Sequence, residues 1–440
     1  ISRYNIMTKI TGTELLKFSQ SIWSYNRSLT GKGAFKTLKK IKEKNKKLKV
    51  IKFKSNKKVF DWKIPLEWEV KNSFIITPNK KKICDYKKNN LYLMGYSFSK
   101  KGFFNLKELK KNLFSIPSQP KAIPYVTSYY RKNWGICIDH ETKSKLKNGK
   151  YFVNIETKFK KGFLNIGEIK IKGKSKKEIL LTTYICHPSM ANNEVSGITI
   201  LTYISKFLSS RSNKFSYRLL FMPESIGSIA YIKKEILNLK KNVFAGYVIT
   251  CIGDEREFSY LKTKHENTIS DKVALSTLKE IGKKHKIYNW LDRGSDERQF
   301  NSPGVDLPIG SLMKSKYGTF PEYHTSLDKL GTVVTSKGLI EGFNYVKKVI
   351  LNFENKIFPK SIYKCEPNLS KRNLYHVISK KNKRIGVNIE NKHMNYLNFL
   401  SWSDGKNSLE DISEKIILSL RKTKSIYNIL KKKGLVSDVK

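Results

Sequence analysis

Histidine, carboxylate and short polar residues of this chain stand directly after apolar, strand-like runs. His187 follows the β-branched and apolar run of residues 179–185, and Asn192, Asn193 and Glu194 come a few residues later. The segment then opens an amphipathic helix over residues 195–208. In an open α/β sheet the ligand crevice lies at the carboxyl ends of the strands, so the position of His187 favours a metal ligand over core filling.

Further loops after strand-like runs carry groups of the same kind. Glu224 follows residues 217–222, Asp254 follows residues 244–251, and two later loops carry Asp296 and His324. Imidazole and carboxylate groups on separate strand ends are the ligands of a hydrolytic Zn²⁺ that keeps one position open for water. Such an ion lowers the pKa of bound water and polarises a carbonyl, while a nearby carboxylate takes the proton.

Each of these residues also has a structural alternative. Glu224 is well placed to cap a helix that starts at Ser225, close to the positive end of that helix. Asp254 is compatible with a simple turn, and Asp328, just before a Leu-Gly break, with a structural role. His324 lies in a polar loop, so burial in an apolar core does not explain it. The shared position of these residues after successive strands favours one common site.

The hydrophobic pattern predicts the elements that position these residues. Helical patterns cover residues 11–25 and 35–44, and short alternating runs typical of strands occur at 50–53, 73–77, 90–96, 151–155 and 165–171. After Gly173 strand and helix alternate, as 179–185 with 195–208, 217–222 with 226–237, 244–251 with 271–284, and 307–313 with 337–353. This alternation predicts an α/β fold with a mainly parallel sheet flanked by helices.

The predicted domains follow from the same changes of pattern. Residues 1–48 are N-terminal helices that belong to the core, 49–175 an inserted β-rich subdomain, 176–358 the α/β domain and 359–440 a winged helix. The last assignment depends on helical patterns at 396–402, 409–418 and 426–433 and on a terminal apolar strand. We interpret the winged helix as a packing or dimerisation module, so a homodimer is a candidate assembly. DNA binding is the alternative role of such a module.

Composition limits the classes of partner. The net charge is +51, but only eleven of the 87 basic residues are arginine, which indicates a compositional bias towards lysine and argues against a nucleic-acid partner. Five scattered cysteines without a CxxC pair suggest neither a disulfide framework nor a thiolate zinc site. The sequence has no apolar run of membrane-spanning length and no secretion signal, so we expect no membrane association and a cytoplasmic location.

Three motifs resemble the zinc aminopeptidases of the M28 type. Residues 323–330 are similar to the final histidine motif of that family, Ser295-Asp296 with Phe300 and Gly304 to its preceding motif, and residues 191–197 to its helix entrance. Longer strings at 60–62, 124–130, 290–294 and 317–318 resemble more closely the bacterial aminopeptidase-like proteins with a C-terminal winged helix, of the DUF4910 or DUF2172 type. The resemblance covers nearly the whole chain and implies a zinc-peptidase-like fold.

The sequence departs from the M28 pattern at several ligand positions. Asn192 stands where the family has a carboxylate that bridges two zinc ions, Pro223 precedes a single Glu224 where the family has paired glutamates, and Ser189 replaces an aspartate two residues after His187. The aspartate expected at the third strand aligns with Thr250, which leaves Asp254 as a substitute. Two close zinc ions need several carboxylates, so these departures from the family pattern predict at most one tightly held ion.

We therefore predict a single Zn²⁺ held by His187, Glu224 and His324, with Asp254 as a further candidate ligand. The remaining roles are assigned to the following residues: Glu194 or Glu224 as the base, Asp296 to orient a substrate amine, and Asn192, Asn193, Arg293 and Tyr323 for substrate binding.

The predicted function is an aminopeptidase-like hydrolase that cleaves an amide in a peptide or an amino-sugar conjugate by metal-activated water. The main alternative is a non-catalytic peptidase-fold protein that binds a ligand or dimerises through its winged helix. Serine-hydrolase and thermolysin-like chemistry are disfavoured because the chain has neither a GxSxG nor an HExxH motif.

Overall fold

Two amphipathic helices begin the described part of the protein, a computed structural model that describes residues 10–375 and 392–439. Helix α1 (Gly12–Trp23) starts at Thr11, whose side chain accepts a hydrogen bond from the Glu14 N–H. Helix α2 (Lys32–Lys44) follows after a short loop. Both bury one apolar stripe, as their periodic patterns predicted.

The next part of the chain is rich in short strands. Its elements are β1 (Lys49–Lys54), β2 (Lys58–Val59), β3 (Trp62–Lys63), β4 (Glu67–Ile76), β5 (Lys82–Ile83), β6 (Lys100–Asn105), α3 (Leu106–Lys110), β7 (Leu113–Phe114), β8 (Ile136–Cys137), α4 (His140–Ser144), β9 (Lys150–Lys160) and β10 (Phe163–Ile171). Strands β4, β5, β6 and β9 form an antiparallel sheet in the order β5-β4-β9-β6. The strand predicted at residues 90–96 is wrong: the structure has a single 3₁₀ turn at Asn90–Tyr92, which the Asn89 side chain caps.

Strands and helices then alternate. These elements are β11 (Glu178–Tyr184), α5 (Ser196–Ser209), β12 (Ser216–Met222), α6 (Ile226–Asn242), β13 (Val243–Ile249), β14 (Phe258–Leu261), α7 (Ile269–Ile281), β15 (His285–Tyr288), α8 (Glu297–Phe300), β16 (Ile309–Met313) and α9 (Ser336–Asn355). A π-helical turn, Ala191–Val195, precedes α5. The last elements are β17 (Pro359–Ser361), α10 (Lys392–Ser401), α11 (Leu409–Lys415), α12 (Leu420–Lys432) and β18 (Val436–Asp438).

The central sheet has eight strands in the order β1-β10-β12-β11-β13-β16-β14-β15. Its middle strands β12, β11, β13 and β16 run parallel to each other. Towards the edges, β1 pairs antiparallel with β10, β10 with β12 and β14 with β16, whereas β14 and the edge strand β15 are parallel. The predicted fold class, a mainly parallel sheet with flanking helices, is confirmed. Strands β1 and β10 belong to this sheet, although they lie within the segment predicted as an insertion.

Both faces of the sheet are covered. Along β11, Ile179 and Leu181 belong to the apolar cluster that includes α1, α5 and α9, whereas Leu180 and Tyr184 belong to a second cluster that includes α6. Parallel strands buried on both faces are apolar throughout, which explains the unbroken apolar runs. The parallel strands end at one edge, where the predicted site residues follow them.

The C-terminal region has an apolar cluster of its own, built mainly on helices α10, α11 and α12. Strands β17 and β18 pair antiparallel at its base. In residues 10–375 and 392–439 we find no helix whose length and apolar character suit it to cross a bilayer.

Candidate active site

His187 is almost fully buried three residues beyond the end of β11. Its Nδ1 lies 3.0 Å from Oε2 of Glu194, and its Nε2 lies 3.9 Å from Oε2 of Glu224. Burial alone would lower the pKa of His187, but the hydrogen bond and charge of Glu194 and the charge of Glu224 outweigh it, so this pKa is raised above its ordinary value. The imidazole thus contacts one acid on each side.

Both carboxylate oxygens of Glu194 are occupied. The backbone N–H groups of Cys186 (2.7 Å) and His187 donate to Oε2, and the Arg27 guanidinium donates to Oε1. Glu194 and Arg27 are both essentially inaccessible to solvent. Glu194 is thereby engaged as an acceptor behind His187, which leaves Glu224 as the more accessible candidate for a base.

His324 faces His187, and their ring centroids are 5.3 Å apart. Tyr125 packs edge-on against both imidazoles, and Tyr323 stacks on His324 at 3.9 Å. The Nε2 atom of His324 is buried without a hydrogen-bond partner among the described residues. Burial, together with the nearby His187, lowers the pKa of His324 to about 3, so its ring is neutral.

The loop after β12 supplies Glu224. Its Oε1 accepts a hydrogen bond from Ser295 Oγ at 2.6 Å, and its side chain stays 22% exposed, so it reaches the open side of the site. Burial raises the pKa of Glu224, against the opposing effect of His187. The neighbouring Ser225 has a positive φ of 61°, which indicates a sharp turn directly after Glu224.

Asp296 lies completely buried behind Glu224. Its Oδ1 accepts hydrogen bonds from the Ser225 N–H (2.7 Å) and Ser228 Oγ (2.8 Å), whereas Oδ2 is buried without a partner among the described residues. Burial and the adjacent charge of Glu224 raise the pKa of Asp296 to about 8. Asp296 is therefore largely protonated at neutral pH.

Asn192 and Asp254 contact each other rather than the two histidines. The Asn192 side chain donates to Asp254 Oδ2 at 2.6 Å and accepts from the Gly253 N–H at 2.8 Å. The carboxylate of Asp328 accepts from the N–H groups of Asn192 (2.7 Å) and Asn193 (2.9 Å) and so caps the helix entrance. Burial raises the pKa of Asp328 to about 7. These contacts join three strand ends into one polar network.

The remaining predicted substrate-binding residues occupy different surroundings. Asn193 accepts a hydrogen bond from the Tyr184 hydroxyl at 2.9 Å, and its Nδ2 is buried without a partner among the described residues. Tyr323 lies in the site through its stacking on His324. Arg293 is exposed and packs over the Trp290 ring at 4.9 Å. The structure brings Tyr323 to the histidines and places Arg293 outside their immediate contacts.

Sequence reasoning missed Tyr125 and Arg27 as site residues, and it named Ser295 in a motif without giving it a role. Tyr125 stands in one of the strings that carried the family resemblance, but its aromatic type gave no sign of contact with two histidines. Arg27 lies in the loop between α1 and α2, 160 residues before the histidine whose carbonyl it binds. The feature of the sequence that could have identified Arg27 is its residue type, since arginine is rare in this lysine-rich chain.

His187, Glu224 and His324 offer the donor types that one divalent metal ion such as zinc takes. His187 offers Nε2 because its Nδ1 is engaged by Glu194, His324 has a buried free Nε2, and Glu224 supplies one carboxylate. Among the described residues, the group whose ligand atoms all lie within 4.8 Å of one another is instead Cys186, His187 and Glu194. That second group fits less well, because Arg27 and backbone N–H groups occupy Glu194 and burial keeps the Cys186 thiol protonated by raising its pKa.

Comparisons with known proteins agree with this fold. The chain is 39% identical over 425 residues to a Clostridium acetobutylicum protein provisionally named as a polysaccharide biosynthesis protein with an aminopeptidase-like domain, and 96% of each chain is covered. A crystal structure provisionally titled as a peptidase from the same organism matches with a TM-score of 0.79 at 37% identity, covering 97% of this chain and 96% of that one. A zinc aminopeptidase from Bacillus subtilis matches with a TM-score of 0.54 at 13% identity, over 78% of this chain and 95% of that one, which shows the fold alone.

Two family models divide the chain between them. A winged helix-turn-helix model matches residues 357–438, which confirms the predicted C-terminal module. A domain of unknown function, DUF4910, matches residues 16–356, and the chain therefore belongs to the DUF4910 family, with an aminopeptidase-like fold.

Proposed function

We propose that this protein is a zinc-dependent, aminopeptidase-like hydrolase that binds one Zn²⁺ through His187, Glu224 and His324. The observation that carries the proposal is the free Nε2 of His324, buried beside a second imidazole whose own Nε2 faces a carboxylate. A buried polar atom without a partner is costly, and a metal ion would satisfy it. Three ligands from three separate loops leave a fourth position for water or substrate.

A bound zinc ion would supply Lewis acidity, which activates water and polarises the carbonyl of the scissile amide. Glu224 is the better candidate base, because it reaches the open side of the site whereas both oxygens of Glu194 accept from buried donors. Its two oxygens would then have different roles: Oε2, which faces His187, would hold the ion, and Oε1 would exchange its hydrogen bond with Ser295 for the proton. Asp296 lies beside Glu224 with its Oδ2 unpartnered among the described residues, and we assign to that oxygen the contact with the amine of the substrate. Tyr125 and Tyr323 exclude water from the far sides of the imidazoles.

We propose an amino-sugar conjugate or a peptide as the substrate. The name of the Clostridium acetobutylicum relative links that protein to polysaccharide biosynthesis, which favours the amino-sugar conjugate. In either case the bond broken is an amide, since activated water and one acid–base carboxylate suffice for acyl transfer to water.

Metal analysis of the purified full chain tests the proposal. We expect about one zinc per chain after loading with Zn²⁺ and dialysis, and loss of most of it in His187→Ala and His324→Ala. His265→Ala is the matched control, because His265 is exposed and pairs with Asp306 away from the site. A chain that retains no zinc, or that retains it equally in all three variants, would refute the metal site.

A second candidate function is ligand binding without turnover. It is favoured by Asn192, whose amide is bound to Asp254 and Gly253 in the position where the M28 resemblance would place a bridging carboxylate. In this case the winged helix serves assembly as a homodimer. Hydrolysis of an N-acyl amino sugar or an aminoacyl amide that disappears in Glu224→Gln would exclude this candidate. Light scattering on the same samples would measure the oligomeric state.

A further inference from the structure

Arg27 and Glu194 form a fully buried ion pair directly behind His187. We propose that these two are positioning residues, which hold His187 in the tautomer and orientation that metal binding requires. The inference rests on the proposed metal site. It assigns no chemical step to either residue, because neither reaches the open side of the site.

The contacts of Glu194 fix the hydrogen on the His187 ring. Every group that faces its carboxylate is a donor: the N–H groups of Cys186 and His187 on Oε2, and the guanidinium of Arg27 on Oε1. The ring atom Nδ1, 3.0 Å from Oε2, therefore contributes a hydrogen as well. In neutral imidazole this leaves the lone pair on Nε2, the atom that faces Glu224 at 3.9 Å. A carboxylate behind a ligating histidine fixes ring orientation in this way.

Arg27 holds Glu194 and the backbone of His187 together. Its Nε donates to the His187 carbonyl at 3.0 Å as well as to Glu194, and its Nη1 donates to the carbonyl of Ile22 in the last turn of α1. A cation at the carboxyl end of a helix is stabilised by the free carbonyl groups there. The N–H, the carbonyl and the ring of His187 are thus all held by one ion pair, and the pair is anchored to α1.

The loop that carries Arg27 is itself firmly packed. A Cβ added to Gly33 in α2 would come within 2.0 Å of the Asn26 carbonyl oxygen and 2.7 Å of the Arg27 nitrogen. On the other side of the loop, Thr30 Oγ1 donates to the Leu66 carbonyl at 2.7 Å. The position of Arg27 is therefore set by α2 and by the segment that carries Leu66, both remote in sequence from His187.

A second buried arginine provides the comparison that separates positioning from stability. Arg218 on β12 is equally inaccessible and pairs with Glu178 and Glu235, but it touches neither histidine nor Glu194. Loss of Arg27 leaves a buried carboxylate without its cation, and loss of Arg218 removes the cation of two partly buried ones, so both losses destabilise the fold. Only the loss of Arg27 should disturb His187.

The experiment compares Glu194→Gln, Arg27→Met and the control Arg218→Met in the full chain. Zinc affinity is measured by competition with a chromogenic chelator at pH 7.5, and folding by thermal unfolding of the metal-free protein. Every partner of the Glu194 carboxylate is a donor, so the side-chain NH₂ group that Glu194→Gln introduces must face one of these donors and cannot accept from it. We expect about 10–100-fold weaker zinc binding in the first two variants. Arg218→Met should lower the midpoint of thermal unfolding. Its zinc affinity should stay within about 2-fold of the wild-type value, far from the loss of about 10–100-fold expected in the other two variants.

Unchanged zinc affinity in Glu194→Gln and Arg27→Met would overturn the inference, and so would an equal loss in Arg218→Met. A second measurement needs no metal. At pH 9, ¹⁵N spectra of histidine-labelled, metal-free protein should show His187, assigned by its absence in His187→Asn, as the Nδ1–H tautomer. A mixture of tautomers is expected in Glu194→Gln. If the wild-type protein binds no zinc, the proposed function fails, but the tautomer of His187 still tests the role of the Arg27–Glu194 pair. A wild-type His187 ring without a preference for the Nδ1–H tautomer refutes that role.

Discussion

His187 and His324 differ in proton affinity although their ring centroids are only 5.3 Å apart. Contact with Glu194 and Glu224 outweighs burial and raises the pKa of His187, whereas burial and His187 itself lower that of His324 to about 3. In the proposed site a metal ion would compete with a proton at His187 and would find His324 already neutral. Neighbouring side chains of one type thus contribute differently to the same site.

This difference predicts the pH dependence of zinc binding. Affinity should fall as the pH is lowered from 8.5 to 5.5, and the fall should begin at a higher pH than for an ordinary histidine, because the pKa of His187 is raised. In Glu194→Gln the onset should move to lower pH, whatever the affinity at high pH, since Glu194 raises that pKa. Chelator competition across this range measures the onset. An onset at the same pH in both proteins would contradict the prediction.

Asp296 predicts how stability changes with pH in the metal-free protein. Its pKa is about 8 in the folded chain, far above the ordinary aspartate value, so the stability it contributes is complete below the unfolded value and is lost as the pH rises through 8. Asp296→Asn cannot ionise and should be about 1 kcal/mol or more stable than wild type at pH 8.5, with little difference at pH 4. Chemical unfolding at both pH values, with chelator present, measures this.

The control for that comparison is Asp306→Asn. Asp306 is exposed, and its hydrogen bond with His265 lowers its pKa, so the substitution should not produce a gain that grows with pH. Equal slopes of stability against pH in wild type and Asp296→Asn would contradict the role assigned to Asp296.

At the scale of single residues, the sequence predicted which residue types follow the strands. That these residues come together in space follows from the topology of the sheet. His187, Glu224 and His324 were placed by the rule that parallel strands end at one edge. The same rule could not separate Asp254, which follows β13 as closely but binds Asn192. Side-chain direction within a loop depends on backbone turns such as the positive φ of His324, and hydrophobic periodicity carries no information about these.

Among the elements, the buried parallel strands and long amphipathic helices were predictable, and the edges of the sheet were not. The helix predicted at residues 271–284 ends at Ile281, because Gly282 adopts a left-handed conformation with φ of 69°. Strand β15 then follows at once, and its exposed, lysine-containing pattern lacks the alternation that marks a half-buried strand. Strand β14 has four buried residues, too few to recognise by period.

Helix α5 makes a prediction about close packing at the site. A Cβ on Gly197 would lie 2.4 Å from the Ile249 carbonyl oxygen and 2.5 Å from Thr183 Oγ1, so the start of this helix touches β11 and β13 directly. Gly197→Ala should lower the free energy of unfolding by about 1–3 kcal/mol through overpacking. Because α5 follows Glu194 directly, zinc affinity should fall as well. Lys206→Ala, on the partly exposed side of α5, is the control and should change neither quantity appreciably. If Gly197→Ala were as stable as the wild-type protein, α5 could move away from β11 and β13 without cost, and the prediction would be wrong.

On the scale of the whole molecule, lysine covers the surface while the charged groups that matter for the site are buried. The net charge of +51 arises from 87 basic and 36 acidic residues, and many surface lysines pair with single carboxylates or pack over aromatic rings. Such exposed pairs contribute little to stability. Among the described residues, Arg27 and Arg218 are fully buried arginines, and each instead joins separate parts of the chain.

The peptidase-like part and the winged helix meet at Phe358 in an apolar contact, and this predicts cooperative unfolding. Phe358, at the junction of the two family segments, packs its ring 5.5 Å from that of Phe244 and 6.2 Å from that of Phe215, and Val439 donates its N–H to the Phe358 carbonyl. Since the ring is 1% exposed, Phe358→Ala should cost about 3–5 kcal/mol.

Calorimetry of the full chain tests this coupling between the two parts. We expect one transition in wild type, because Phe358 and Val439 belong to the same apolar cluster as the central sheet. In Phe358→Ala the transition should move to lower temperature and broaden or split, as the winged helix keeps its own cluster while losing its support. Ile362→Ala, at a site 53% exposed, should leave the transition in place. Two independent transitions in the wild-type chain, with the larger one unmoved by Phe358→Ala, would mean that the winged helix is only tethered to the peptidase-like part.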